Sequence, residues 1–460
     1  MTGNVFGRPL SQLHSKINSW EFFSVKPLSW MTVAAGLALA SCNIGAKYSV
    51  GGTLTGLLGQ GLVLEDNSGN NLSLSSNGTF VFSDGVKNGD AYSVTVKTQP
   101  SDPSQTCSVQ NGSGTIDKAD VTNVIVTCAQ SGRFAFVANQ LSNTLSAYTI
   151  NSSTGYLTAV NGSPFASTGT GPVSLVVDPN GAFLYVANNG SNTVSVYSIT
   201  SGALASVGVP IATGSGPLAL TIDPTDSFLY VANLASNTVS AYTIDSSTGA
   251  LTALGSFAVG SEPSSLKIDP SGNYLYVANF GDGTVDVFAI NTATGALSVV
   301  SGSPFTAGAG PVSVTIDPTG AFAYVANETA DSISEYSIDT SGGLTQVSGS
   351  PLATGSSPES LVVDPAARYL YAANVTAKNQ VAAYSITPSS GALTLSVSGV
   401  AAGVFPVSLA LDPSGAFAYI ANDTSNTVSV YAVDATSGSL TPVTGSPFAA
   451  GDGARAIAID

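Results

Sequence analysis

Histidine is nearly absent from this chain of 460 residues; the only one is His14. A Ser-His-Asp nucleophile set, or a metal site built on imidazoles, is therefore excluded from the rest of the chain. Charge is scarce as well. Asp, Glu, Lys and Arg make up 9% of the residues, with 12 basic against 28 acidic. No cluster of Lys or Arg exists that would follow a phosphate backbone, which excludes nucleic acid as a partner. The apolar segment "LSWMTVAAGLALASC" at 28–42 is too short to span a bilayer as a helix. With 43% hydrophobic residues and so little charge, the surface has to be built largely from Ser, Thr, Asn and Gly. The length allows two or three domains.

The segment 28–42 follows Lys16 and Lys26 and ends in Leu39-Ala40-Ser41-Cys42. Cations, a short apolar core and small residues occur in the order of a secretory signal, and the residues before Lys26 read as an N-terminal extension of it. The last four residues resemble the bacterial lipobox. That resemblance implies cleavage before Cys42 and lipidation of Cys42, with membrane attachment through the lipid. Asn43 is not the Asp that retains such proteins at the inner membrane. The resemblance thus implies an extracytoplasmic lipoprotein, on the outer membrane, facing the periplasm or the cell surface. Removal of the signal segment also removes His14. Cys107 and Cys128 then remain as an even pair in an exported protein, and a disulfide is expected between them. Closing a loop of about 20 residues, it contributes on the order of 3 kcal/mol in the chain-entropy model.

Residues 43–130 show short alternating runs such as "NLSLSS", "GTFVFSD" and "AYSVTVKT", each bounded by Gly, Asn, Asp or Pro. This is strand-and-turn grammar, and alternation puts one face on a core and the other in water. Six or seven strands in this length predict a small Ig-like or prealbumin-like β-sandwich. Its opening, "GGTLTGLLGQGLVLED", resembles domains common at the start of bacterial surface proteins, which implies a spacer.

Residues 131–460 repeat one word seven times: FAFVAN at 134, FLYVAN at 183 and 228, YLYVAN at 274, FAYVAN at 322, YLYAAN at 369 and FAYIAN at 417. The terminal residues Asn139, Asn188, Asn233, Asn279, Asn327, Asn374 and Asn422 are 45 to 49 positions apart. That period, with several strands per unit, predicts a β-propeller of four-stranded blades. In one unit strand A is "PVSLVVD", strand B carries the word, strand C is "TVSVYSI", and a weaker strand D follows. Strand B is apolar on both faces, as a strand between two neighbouring blades must be. Asp-Pro follows strand A six times, and a turn role is expected for it. The repeated Asn and the "SNT" after it are expected to satisfy backbone groups between B and C. The region opens on a strand B and closes on a strand A, "ARAIAID". The two fragments complete each other. The fold class is therefore all-β: a seven-bladed β-propeller, closed by one C-terminal and three N-terminal strands, after a small β-sandwich. A ring closed this way leaves no free sheet edge.

The words Y-V-A-N and D-P-x-G resemble the YVTN-type propeller repeats. They also resemble the wider superfamily of seven-bladed propellers that includes 6-phosphogluconolactonase and the muconate-cyclising enzymes. The resemblance covers about 131–460 and is specific for fold more than for activity. Repeated positions build the ring, so a site has to use what is not repeated. The second residue of strand A reads Val173, Leu218, Ser264, Val312, Glu359, Val407, Arg455. Glu262 lies two residues before Ser264, and the B–C loops add Phe280, Asp282, Glu328, Asp331, Lys378 and Asp423. Glu262, Glu359 and Arg455 are the candidate ligand site, at the rim where D–A and B–C loops meet. The enzymes that resemble muconate cyclisers use His, Glu and Arg in the channel. Glu359 and Arg455 match two of these roles, and no His remains for the third. A calcium-dependent lactonase would need several oxygen ligands, for which Glu262, Glu328 and Glu359 are the available set; no cofactor is otherwise implied.

Two functions follow. One is a lipid-anchored surface propeller binding a protein, a glycan or a small polar ligand. The other is a lactonase-like hydrolase acting on a sugar lactone. The missing His and the extracytoplasmic placement favour the first. The anchor itself is directly testable. Replacing Cys42 with Ser should move the protein from the membrane fraction to the soluble one and remove an acyl mass from its N-terminus; a Cys42→Ser protein that still pellets with membranes contradicts the lipobox.

Overall fold

The computed structural model describes residues 46–57, 60–100, 105–130, 134–375 and 379–460. Cys42 and the 1–42 signal lie outside the described residues. Every regular element among the described residues is a β-strand.

Residues 47–130 form two four-stranded sheets and one short strand pair. The first sheet runs Gly78–Val81, Val50–Thr55, Val121–Gln130, Gln105–Gln110, and the second Asn70–Leu74, Leu62–Asp66, Ala91–Thr98, Ser113–Thr115. Val50–Thr55 and Val121–Gln130 are parallel. Inward residues of both sheets, among them Leu54, Leu62, Leu64, Phe80, Val124 and Val126, share one core. Cys107 and Cys128 face each other across an antiparallel pair and are joined by the expected disulfide.

Residues 134–460 form seven sheets that share no strand with those of 47–130. Blades are numbered here by their inner strand A: Pro172–Val177, Pro217–Ile222, Pro263–Ile268, Pro311–Ile316, Pro358–Val363, Pro406–Leu411 and Ala454–Ile459. Strand order within blade 1 is Pro172–Val177, Phe183–Asn188, Thr193–Thr200, Ala203–Ser206, all antiparallel. Blade 7 combines Ala454–Ile459 with Phe134–Asn139, Thr144–Ile150 and Leu157–Ala159 from the start of the repeat region. Its inner strand packs beside the inner strands of blades 1 and 6, which closes the ring.

Strand B is buried from its second residue onward in every blade, and its two faces belong to different cores. Leu184 and Val186 pack with residues of blade 7, whereas Tyr185 and Ala187 pack with residues of blade 2. Four of the strand-B tyrosine hydroxyls find partners across the same seam, whereas those of Tyr371 and Tyr419 are buried without one among the described residues. Tyr185, Tyr230, Tyr276 and Tyr324 donate to the carbonyls of Gly249, Gly295, Gly342 and Gly391 in the following blade. A buried hydroxyl left unpaired is costly, so these bonds help specify which blade follows which.

The Asp-Pro turns are built as expected. Asp178, Asp223, Asp269, Asp317, Asp364 and Asp412 each accept the N–H that opens strand B, at 2.6–2.8 Å. Blade 7 has no covalent A–B turn, yet it keeps this bond: the Phe134 N–H donates to Asp460 Oδ1 at 2.9 Å. The Asn of "SNT" acts over a longer reach than the sequence implied. Asn143, Asn192, Asn237 and Asn426 adopt positive φ and accept the N–H of Gly171, Gly216, Glu262 and Gly453 in the next blade at 2.6–2.8 Å. The Asn ending strand B does serve the B–C connection: Asn188 Nδ2 donates to Ser195 Oγ at 2.8 Å. A glycine of the D–A loop packs on that amide, and a Cβ at Gly260 would meet the Asn279 side chain at 2.6 Å.

Deleting 454–460 should uncover the Phe134–Asn139 edge and one face of two blade cores. The thermal midpoint of the deleted chain is expected to fall by about 10 °C or more, reflecting the loss of several kcal/mol. An unchanged midpoint in a thermal melt would contradict closure by this strand.

Candidate functional site at the channel mouth

The side chains that line the central channel are set by an irregularity repeated seven times. In each inner strand the first residue pairs with the Asn ending strand B, and the third pairs with the Ala before that Asn. The second residue is therefore a β-bulge. Bulges bend a strand and re-aim a side chain. As a result the second and third residues of all seven blades line one cavity of about 420 Å³. The third residues form a ring of Ser174, Ala219, Ser265, Ser313, Ser360, Ser408 and Ala456. Four of its hydroxyls lace adjacent blades: Ser265, Ser313, Ser360 and Ser408 accept the N–H of Val314, Leu361, Leu409 and Ile457 at 3.1–3.2 Å.

The second residues supply the chemistry. Glu359 of blade 5 and Arg455 of blade 7 lean toward each other past Val407 of blade 6, with Arg455 Nη2 3.7 Å from Glu359 Oε1. This is an ion-pair separation, too long for a hydrogen bond. Among the described residues neither charged head has a protein hydrogen-bond partner, so both keep their bonding capacity for a ligand. Glu359 is 14% exposed and Arg455 27%. Burial pushes the Glu359 carboxyl up to about 7; Arg455 pulls it back, and the charges of Glu328 and Asp423 push it further up. At neutral pH the group is poised between its acid and base forms.

Glu262 lines the same cavity with Leu234, Phe280 and Glu328 from the loops above. It makes no ion pair with Arg455, and the acids acting on Glu359 are Glu328 and Asp423. The structure thus brings together two of the three sequence candidates and sets the third on the rim. Glu262 stands at φ 55°, where blades 1, 2, 4 and 7 have Gly171, Gly216, Gly310 and Gly453. A non-glycine residue there costs about 1 kcal/mol, and such strain concentrates at functional positions. Val173, Leu218, Leu234 and Phe280 make the other side of the cavity apolar. One wall suits the carbon face of a small polar molecule, the other its oxygens. Among the described residues no three His, Cys, Asp or Glu side chains converge as a metal site. Glu262, Glu328 and Glu359 therefore do not fit the oxygen cage that calcium takes.

Fold and site together define a seven-bladed propeller with an acid–base pair in the mouth of its channel. The family model for "Lactonase, 7-bladed beta-propeller" matches residues 125–268 and 260–454. The chain belongs to that family. Among solved structures, a protein of Bacteroides uniformis designated a candidate 6-phosphogluconolactonase superposes with a TM-score of 0.64 at 20% identity, covering 72% of this chain and 100% of that one. The periplasmic gluconolactonase PpgL of Pseudomonas aeruginosa gives 0.61 at 20% identity, with 71% and 98% covered. A protein of Lactobacillus plantarum gives 0.63 at 21% identity, with 72% and 99% covered. At these identities the likeness is one of fold. No curated protein matches the chain.

The raised Glu359 carboxyl has a stability signature. Its native value near 7 exceeds the unfolded value of about 4.3, so the native state holds the proton more tightly. Its contribution is fully present below about pH 4.3 and is lost as pH rises through about 7. Glu359→Gln should therefore match the parent near pH 4.5 and be the more stable at pH 8.5, by at most about 3 kcal/mol. Denaturant unfolding at both pH values measures this; the same difference at each pH would show that the carboxyl is not shifted.

Proposed function

We propose that the protein hydrolyses an unphosphorylated sugar lactone outside the cytoplasm, anchored through Cys42. The observation that carries this reading is the Glu359–Arg455 pair, 3.7 Å apart in the concave channel mouth, with the carboxyl near neutrality. Family membership moves the weight from the binding module favoured on sequence to the hydrolase kept beside it. An extracytoplasmic lactonase of this fold has a counterpart in the Pseudomonas protein, which is named periplasmic. The charges favour a neutral substrate. A phosphorylated one would meet Glu262, Glu328 and Glu359 in the cavity, with Arg455 the one cation among the described residues that line it, and phosphate recognition uses several donors or cations.

The chemistry follows from the two groups. With Glu359 ionised, its carboxylate takes a proton from a water that attacks the lactone carbonyl carbon. The carbonyl oxygen becomes an oxyanion, and the Arg455 guanidinium donates to it. The tetrahedral adduct collapses, the ester bond to the ring oxygen breaks, and protonated Glu359 returns its proton to the leaving alkoxide. Lactone and water give the open hydroxy acid, with Glu359 regenerated. No imidazole is needed because Glu359 itself titrates near neutral pH.

Ring opening of glucono-1,5-lactone by the protein lacking 1–42, followed through acid release, tests this. Turnover should rise as pH passes through about 7, as Glu359 ionises. Glu359→Gln should lower kcat by about 10² to 10⁴, and Arg455→Ala by about 10² to 10³. No turnover of aldonolactones by the parent, or full turnover by Glu359→Gln, would overturn the hydrolase and restore the binding module.

A further inference from the structure

The fifth residue of each inner strand lies two positions beyond the channel-lining third residue, and therefore faces the channel nearer its opposite end. Around the ring these residues read Val176, Thr221, Lys267, Thr315, Val362, Ala410 and Ala458. Four are aliphatic. The three that depart from the pattern are consecutive: Thr221, Lys267 and Thr315 belong to blades 2, 3 and 4. They share one register, each opposite the tyrosine of strand B, namely Tyr230, Tyr276 and Tyr324.

These side chains are unusually unengaged. The ion pairs among the described residues are Lys97–Glu65, Arg368–Asp364 and Arg455–Glu359, so no carboxylate lies within pairing distance of the Lys267 ammonium. Thr221 and Thr315 are buried, yet among the described residues neither hydroxyl has a hydrogen-bond partner. Lys267 is an exposed residue, with protein packed around its ammonium. That enclosure pushes its ammonium below the ordinary lysine value.

The nearby acids are already committed. Lys267 and Thr221 line an indentation of about 320 Å³ that also includes Asp223 and Asp269. Asp223 accepts the N–H groups of Ser227 and Phe228 at 2.8 and 2.6 Å on one oxygen and that of Thr225 at 3.0 Å on the other. Asp269 accepts Asn273 and Tyr274 at 2.9 and 2.7 Å, and Ser271 at 3.1 Å. These bonds hold both carboxylates on their own turns, and neither pairs with Lys267. A cation flanked by two hydroxyls without hydrogen-bond partners among the described residues has the donor set of an oxyanion site, and no carboxylate is paired with it.

We propose that Lys267, flanked by Thr221 and Thr315, forms an anion site in the channel, remote from the Glu359–Arg455 mouth, that takes a small molecule through a carboxylate or phosphate group. Lys267 supplies the charge, and the two threonines donate from the adjacent blades. The aliphatic fifth residues of blades 1, 5, 6 and 7 offer the rest of the ligand an apolar wall. The site does not rest on the hydrolase reading.

Calorimetric titration of the protein lacking 1–42 with inorganic phosphate, and separately with gluconate, at low ionic strength tests it. At least one of the two should bind saturably, and which one does separates phosphate from carboxylate recognition. Lys267→Met should weaken that binding about tenfold or more, Lys267→Arg should retain most of it, and Thr221→Val or Thr315→Val should each weaken it a few-fold. Glu359→Gln should leave it unchanged, which separates this site from the mouth. If Lys267→Met fails to fold, the Arg variant and the two threonine variants still decide the matter. Absence of saturable binding by either anion, binding unaltered in Lys267→Met, or unaltered binding in both threonine variants would overturn the proposal.

Discussion

A blade whose second strand is apolar on both faces cannot stand alone, because one of those faces would lie in water. Only another blade can cover it, and that blade has the same need. The requirement ends when the last blade reaches the first. Ring closure is thus the condition under which strands such as Phe183–Asn188 can be buried at all. The bonds that cross each seam follow from it. Tyrosine hydroxyls reach the outer loops, serines lace the inner strands, and asparagines of the B–C loops cap the next D–A loop. Each satisfies a polar group that blade packing removes from water. At the closing blade the same grammar works without a continuous chain: Asp460 and Phe134 make the bond that an Asp-Pro turn makes elsewhere.

Charge in the channel mouth occupies the departures from this repetition. The bulge directs one residue per blade into the channel mouth, and five of the seven are Val, Leu or Ser. A Glu and an Arg in the remaining two then meet across the residue between them. Neither would be distinctive on an ordinary surface. Their effect comes from a wall that removes much of the water around the carboxyl and holds the guanidinium beside it. A symmetric scaffold thereby hosts an asymmetric site without altering its backbone.

Much of the ring was legible because its signals are redundant. Seven copies of one word give period, strand order and buried face, and the incomplete units at either end give the closure. The alternating strands of 43–130 and the Cys107–Cys128 pair were equally direct. Glu359 and Arg455 were found by aligning the copies and asking which residues differ. The bulge was not legible, since "PVS" and "PES" read as ordinary strand, and only the pairing register reveals that two successive residues enter one cavity. Nor was the reach of Asn143 or Asn237 into the next blade, because spacing along a chain does not report distance across a seam. Glu262 lines the same cavity but makes no ion pair with Arg455, and its left-handed backbone was not legible either. Lys267 is legible in the same way, as a Lys among the Val, Thr and Ala residues that fill the fifth position of the other inner strands.

Arg455 is carried by the strand that joins the two ends of the repeat region, while Glu359 belongs to a blade built from one continuous stretch. The pair therefore has no existence in an open ring. The channel mouth acquires its charge balance in the same event that pairs the Phe134–Asn139 edge, so the Glu359–Arg455 contact is a mark of the completed ring.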